Sequence, residues 1–517
     1  MPGGNDTRAT ADATAGERTR GGRARRAVLR TLGSAGIAGL SATAGARGAG
    51  TPGAASTGRA TQDGWMQAAK LAADDGDPGD SFGFSVAVDG STAVVGARGD
   101  EDPNGERAGS AYVFEKDGYS WIQAEKLVAD DGDGEDGFGF SVAVDGPTAV
   151  VGASRDDDPN GPSAGSAYVF ERDAYSWTQA RKLVADDGDS EDRFGSAVAV
   201  DGPTAVVGAP ADEDPDGAAG DPEGSAYVFE RSGGSWTQAR KLVADDGDPG
   251  DSFGETVAVD GPTAVVGAPD DREPNGERAG SAYVFERRDG VWTQARKLAA
   301  GDGDSEDGFG SSVAVDGSTA VVGAPDDEGP DNSSLGSVYV FERRDRVWTQ
   351  AQKLTPEESS GVDEFGFSVT VDGSRAVVSA FGDGIPIGNL AGAAYVFERR
   401  DGSWVQTRML TPADGDGEDA FGFSVGTSGS TTLVGAFGDE DPNGPSAGST
   451  YVFEAPATPS DAATSTPGST TDRPADEETD DEDSEGSGAG LGIGSAVAGV
   501  AGAGYLLKRR VSGRTDG

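Results

Sequence analysis

The stretch "FGFSVAVDGSTAVVGA", residues 82–97, decides the fold, because near-copies of it return along the chain as far as Ala436. Within it, "SVAVD" alternates valine with smaller residues and "TAVV" is a short continuous apolar run. Both patterns read as β-strands. Between them stands Asp89-Gly90, the residue pair favoured in two-residue hairpin turns, where glycine supplies the positive φ. A third strand signal follows in "SAYVFE" (110–115) and a fourth in "WIQAEKL" (121–127).

The tryptophans set the period. They fall at Trp65, Trp121, Trp177, Trp236, Trp292, Trp348 and Trp404, in steps of 56 residues broken once by a step of 59. The three extra residues lie near Asp221, Pro222 and Glu223. Nothing between 65 and 454 reads as a helix. Seven units of four antiparallel strands predict an all-β fold, a seven-bladed β-propeller of four-stranded antiparallel blades, since a β-helix needs much shorter repeats. The register also predicts the closure. If Phe-Gly opens the innermost strand of each blade, the Trp strand is outermost. The ordered region then starts with a lone Trp strand at Trp65 and ends with "STYVFE" (449–454), which lacks one. The N-terminal strand is expected to complete the seventh blade as its outer strand and hide the sheet edges.

Phe253-Gly254, followed some thirteen residues later by Gly267-Ala268-Pro269, resembles the FG-GAP repeat, which builds the seven-bladed propeller of integrin α subunits. The resemblance covers about residues 65–454. The sixth unit departs from it, with Ser379-Ala380-Phe381. It implies the propeller fold and a surface interaction role.

Composition narrows the chemistry. The chain of 517 residues carries 90 acidic and 41 basic side chains, a net charge of −49. Phosphates would be repelled, which rules against nucleic acid as a partner. Lysine is scarce and occurs mostly as the "KL" of each repeat. The profile resembles that of halophilic proteins working in near-saturating salt, where screening acts within roughly 3 Å and self-repulsion costs little. With no cysteine and no histidine, disulfides, thiolate nucleophiles, Cys/His zinc sites and Ser-His-Asp catalysis are all excluded. Carboxylate chemistry and hard-cation binding remain.

The two ends read as targeting segments. "RARRAVLRTLG" (23–33) places Arg25 and Arg26 ahead of a mildly apolar stretch and resembles a twin-arginine signal peptide, expected over 1–46 with a linker over 47–64. After the propeller, residues 455–487 form a Thr/Ser/Pro-rich and acidic stalk, expected to be disordered. Residues 488–507 hold no charge, long enough for a transmembrane helix, and 508–517 form a basic tail starting with Lys508, Arg509 and Arg510. This order also resembles archaeal surface-protein sorting signals, without their Pro-Gly-Phe tripeptide. The expectation is a protein exported to the cell surface and anchored in the cytoplasmic membrane by its C-terminus.

Topology places the short Asp-Gly turns on one face of the disc and the long acidic loops on the other. Alternating oxygens before a glycine, as in Asp100, Asp102, Asn104 and Gly105, suggest Ca²⁺ loops. The pattern recurs at Asp156, Asp158, Asn160 and at Asp439, Asp441, Asn443. The bidentate glutamate of an EF-hand is missing at its twelfth position, which holds Ala111, Ala167 and Thr450. Two readings of these acids stay open: calcium sites, or halophilic surface combined with turn chemistry. Asn332, in "NSS", is a glycosylation acceptor sequon in the fifth unit. The functional expectation is a binding, adhesion or surface-structural module whose acidic loop face meets an extracellular protein or polysaccharide. The alternative is a carboxylate-based polysaccharide hydrolase, for which only the sixth unit, with Asp383, offers a departure from the repeat.

Overall fold

In the computed structural model, described residues run from 64 to 456, apart from 119, 158–159, 175, 214–221, 329–334, 358–363, 383–390 and 441. Asp158, Asp441, Asp383, Asn332, Arg25, Arg26, the stalk and the apolar C-terminal segment lie outside them. Among the described residues every long regular element is a strand, and no helix is long and apolar enough to cross a membrane.

The strands form seven four-stranded antiparallel sheets arranged as blades. Blade 1 consists of Phe82–Asp89, Thr92–Ala97, Ser110–Asp117 and Ser120–Leu127, ordered from axis to rim as in the chain. Blades 2 to 6 repeat this order. Blade 7 takes its three inner strands from Phe421–Ser428, Thr431–Ala436 and Ser449–Glu454, and its outer strand from Met66–Leu71 at the other end of the chain. The closure therefore runs as expected, with Met66 opposite Glu454 and Leu71 opposite Thr450. Both ends of the described chain consequently leave from the Asp-Gly turn side. There Gly64 packs on Pro456 so closely that a Cβ would stand 2.7 Å from the proline Cβ.

The core lies between blades, not within them. Each seam holds one apolar cluster built from the facing sides of two adjacent sheets, such as Ala197, Val206 and Leu242 of blade 3 against Phe253, Val257 and Trp292 of blade 4. The phenylalanine of each Phe-Gly pair wedges edge-on between the tyrosine and phenylalanine of "YVF", with Phe82 5.5 Å from Tyr112 and 5.9 Å from Phe114. The glycines of the motif let neighbouring backbones touch. A Cβ on Gly96 would stand 2.0 Å from the Gly139 carbonyl oxygen of the next blade. Gly139 itself has φ +85 and would place a Cβ 2.2 Å from Ser110 O. No side chain fits either place. Blade 6 carries Ser379 at this glycine position; a Cβ on Gly422 of blade 7 would be 2.8 Å from Ala393 O, and one on Gly366 of blade 6 would be 2.7 Å from Ser337 O.

Polar rings complete the seams. In the turn at Asp89-Gly90 the carboxylate accepts the Gly146 N–H of the next blade at 2.8 Å. The same bond recurs around the ring, as Asp145 to Gly202 and Asp260 to Gly317, until Ser428 takes the aspartate's place and accepts from Gly90. Glutamates of one blade meet arginines of the next, as in Glu115–Arg172, Glu171–Arg231 and Glu230–Arg287, each at 2.8 Å. Lys116–Glu454 closes this ring between blades 1 and 7 at 2.6 Å. Between blades 6 and 7 the arginine position is Ala455, and Glu398 pairs with Arg400 of its own blade.

Candidate functional site: the loop-side mouth of the ring

The acids singled out in the sequence are placed first by the strands they follow. Asp100 comes three residues after the second strand of blade 1 and is buried. Its Oδ2 accepts the Tyr112 hydroxyl at 2.6 Å and pairs with Lys126 Nζ at 2.8 Å. Its Oδ1 accepts the Asp102 N–H at 2.9 Å. Lys126 bridges on to Asp75 at 2.8 Å. Burial works against its ammonium charge, yet the Asp100 and Asp75 carboxylates outweigh that and hold its pKa above the usual lysine value. The same lysine bridge occurs at Lys70, Lys182, Lys241, Lys297 and Lys353, each between two aspartates. In blade 6 its place is taken by Met409.

Asp102 is exposed. Asn104 turns away from Asp100 and donates to Ala129 O at 3.0 Å, tying its loop to the chain segment that enters the next blade. Asn160 and Asn443 do the same toward Ala185 and Ala73. Asp156 and Asp439 hold tyrosine and lysine as Asp100 does. Thus Asp100 and Asn104, which the sequence pattern joins, face different partners. Among the described residues no three acidic side chains converge in a geometry that would hold a metal ion.

Beside each bridge sits a second buried acid. Asp80 accepts the Asp77 N–H at 2.7 Å. Burial, only partly offset by that bond and reinforced by the Asp100 charge, pushes its carboxyl up to about 6. Asp136, Asp251, Asp307 and Asp419 rise likewise to about 6, and Asp192 to about 7.

These parts repeat around the ring. What differs from blade to blade is the residue after Phe-Gly and the residue after Gly-Ala, both at the loop-side end of the inner strands. After Phe-Gly stand Phe84, Phe140, Ser196, Glu255, Ser311, Phe367 and Phe423; after Gly-Ala, or Ser-Ala in blade 6, stand Arg98, Ser154, Pro210, Pro269, Pro325, Phe381 and Phe437. Blades 6, 7, 1 and 2 therefore bring six phenylalanines together. Phe367 lies 5.1 Å from Phe423, Phe423 4.9 Å from Phe84, and Phe84 5.3 Å from Phe140, so the rings run unbroken across four blades. Arg98 lies over this arc, 3.9 Å from the Phe84 centroid and 5.7 Å from that of Phe140. Burial, with Arg155 and Arg107 nearby, pulls its pKa down to about 10. Blades 3 to 5 bring Ser196, Glu255 and Ser311 with three prolines instead. There burial and the Asp270 charge raise Glu255 to about 8 against the opposing Arg193, and Asp270 is held by Ser252 at 2.8 Å and Arg278 at 2.9 Å.

The mouth is thus two-sided: aromatic with Arg98 on one arc, small polar residues, prolines and Glu255 on the other. The sequence analysis located departure from the repeat only in the sixth unit and missed these positions. The signal was present: they are the two variable letters beside otherwise repeating glycine motifs.

The chain matches the FG-GAP repeat seven times, over residues 65–114, 121–170, 177–229, 236–285, 292–341, 348–397 and 404–453, and belongs to that family. Each matched unit opens on the Trp strand, the outer strand of the preceding blade, so the sequence repeat and the blade are offset by one strand. No curated protein sequence matches the chain significantly. The family and the fold fit a binding or adhesion module, and FG-GAP propellers are generally not enzymes.

Proposed function

We propose that this protein is a surface-anchored binding module whose loop-side face meets an extracellular protein or polysaccharide. The observation that carries the reading is the exit of both chain ends from the turn side, with Gly64 against Pro456 and Met66 opposite Glu454. A stalk and membrane anchor following residue 456 would then hold the turn side toward the membrane. The loop side, where the blades stop being alike, would face outward. Loops carried on a rigid scaffold are the usual seat of recognition.

A second reading, the carboxylate-based hydrolase, rests on Glu255. A carboxyl raised to about 8 stays protonated at neutral pH, as a general acid must, and the Arg278-paired Asp270 is close enough to raise it. One experiment separates the two. Full-length protein in molar salt is incubated with envelope polysaccharides and envelope proteins, and both retention and release of reducing ends are followed. Retention without new reducing ends supports the binding module. Absence of retention on every fraction sinks it, and reducing ends that vanish in Glu255→Gln establish the hydrolase.

A further inference from the structure

The ring lysines and most ring arginines of the seams in this acidic chain meet a carboxylate, while Arg375, over Trp65, donates instead to the Gly429 carbonyl. Arg231, Arg287, Arg343 and Arg399, comparably shielded, each meet a glutamate of the neighbouring blade. Arg98 does not: among the described residues no carboxylate lies within ion-pair distance of its half-buried guanidinium. Its neighbours are the faces of Phe84 and Phe140 and the like charges of Arg155 and Arg107. Keeping a cation partly desolvated beside other cations costs free energy, and the stacking on Phe84 recovers only part of it. A planar guanidinium fixed on a ring, with no carboxylate in ion-pair distance among the described residues, is suited to receive an oxyanion through two parallel N–H groups. Phe140, partly exposed beside it, offers a flat apolar surface.

We propose that Arg98 is the anion-binding residue of an acidic-sugar subsite at the loop-side mouth. It receives the carboxylate or sulfate of a charged polysaccharide residue whose ring lies against Phe140. The inference rests on the binding reading above and names its ligand chemistry. The overall charge of −49 does not forbid it, because at molar salt repulsion beyond roughly 3 Å is screened and contact chemistry decides.

The test titrates full-length protein in molar potassium chloride with an oligogalacturonate, a sulfated oligosaccharide, neutral dextran and poly-glutamate, followed by calorimetry. At least one of the two anionic sugars should bind, and which one does identifies the oxyanion. Arg98→Gln should weaken that binding at least tenfold, and Arg98→Lys, which keeps the charge but loses the planar fork, should fall between. Arg181→Gln, on an exposed outer strand, should leave it unchanged, and unaltered melting would show that all three variants fold. Equal affinity in Arg98→Gln would overturn the proposal, as would dextran binding as tightly as the charged sugars, or poly-glutamate alone engaging Arg98. In each of those cases retention on envelope fractions could persist, so the binding reading would survive. Failure of both anionic sugars to bind also overturns the subsite.

Discussion

At the residue scale, the aspartates divide into pairs with opposite pH behaviour. Asp80 and its five counterparts have pKa values raised by burial, so between about pH 4 and pH 7 the folded state binds more protons than the unfolded chain. Stability must then fall as pH rises through that window. Asp75 and its counterparts behave oppositely. Burial would raise them, but the lysine bridge wins and holds them low, so their contribution is present above the ordinary aspartate range and lost below it. The melting temperature should therefore rise from pH 7.5 to about pH 5 and drop below about pH 4. Asp136→Asn keeps an acceptor for the Asp133 N–H and should stabilise the protein at pH 7.5 by on the order of 1–3 kcal/mol, with little gain at pH 5. A pH-independent gain in scanning calorimetry would contradict the assignment. The lysine bridge makes its own prediction. Lys126→Met leaves the buried Asp100 without a counter-ion, held only by the Tyr112 hydroxyl and the Asp102 N–H, and should cost about 2–4 kcal/mol in urea unfolding at molar salt. A loss below about half a kcal/mol, within the range of exposed pairs, would show the bridge to be superficial.

At the scale of elements, the closing strand is the one with the longest sequence separation from its partner. Trp65, just before it, packs against Phe421, Tyr451 and Phe453, and Arg375 lies over its ring at 5.1 Å. Lys70 adds the bridge to Asp414 and Asp439. Deleting residues 60–72 should uncover the Ser449–Glu454 edge, broaden the thermal transition and promote self-association through the open strand. A shortened chain that melts at the same temperature and stays monomeric by light scattering would refute the latch. Elsewhere the rim is protected locally: the outer strand of each blade carries a register shift against its neighbour, at Val113/Phe114 in blade 1 and Gln67/Ala69 in blade 7. Such bulges twist an edge away from further pairing.

At the scale of the whole molecule, two accounts of the acidic surface make separable demands. Surface charge alone predicts that lowering salt unfolds the ring and that any screening ion restores it according to ionic strength. Calcium sites predict stabilisation far below screening concentrations, by RT ln(1 + [L]/Kd) per site. Because Asp100 and Asn104 already face separate partners, melting curves at matched ionic strength should coincide with Ca²⁺ and with chelator. A clear upward shift with Ca²⁺, lost in part in Asp156→Ala with Asp158→Ala, would restore the calcium reading.

The period of the tryptophans, the Asp-Gly turns and the offset of the lone Trp strand determined the blade count, the strand order and the closure, because these depend on local pattern and on counting. The leader, stalk and anchor expected from the two chain ends lie outside the described residues. The division of labour among the aspartates was not legible. Asp100 and Asn104 sit four residues apart and read as one loop, yet one bonds inward to Tyr112 and Lys126 while the other reaches the next blade at Ala129. The "KL" lysines read as composition until the fold set each between two carboxylates. The mouth was decided by tertiary structure alone. Phe84, Phe140, Phe367 and Phe423 are separated by up to 339 residues in the chain, and only closing the ring puts blades 7 and 1 side by side and turns four scattered letters into one aromatic surface.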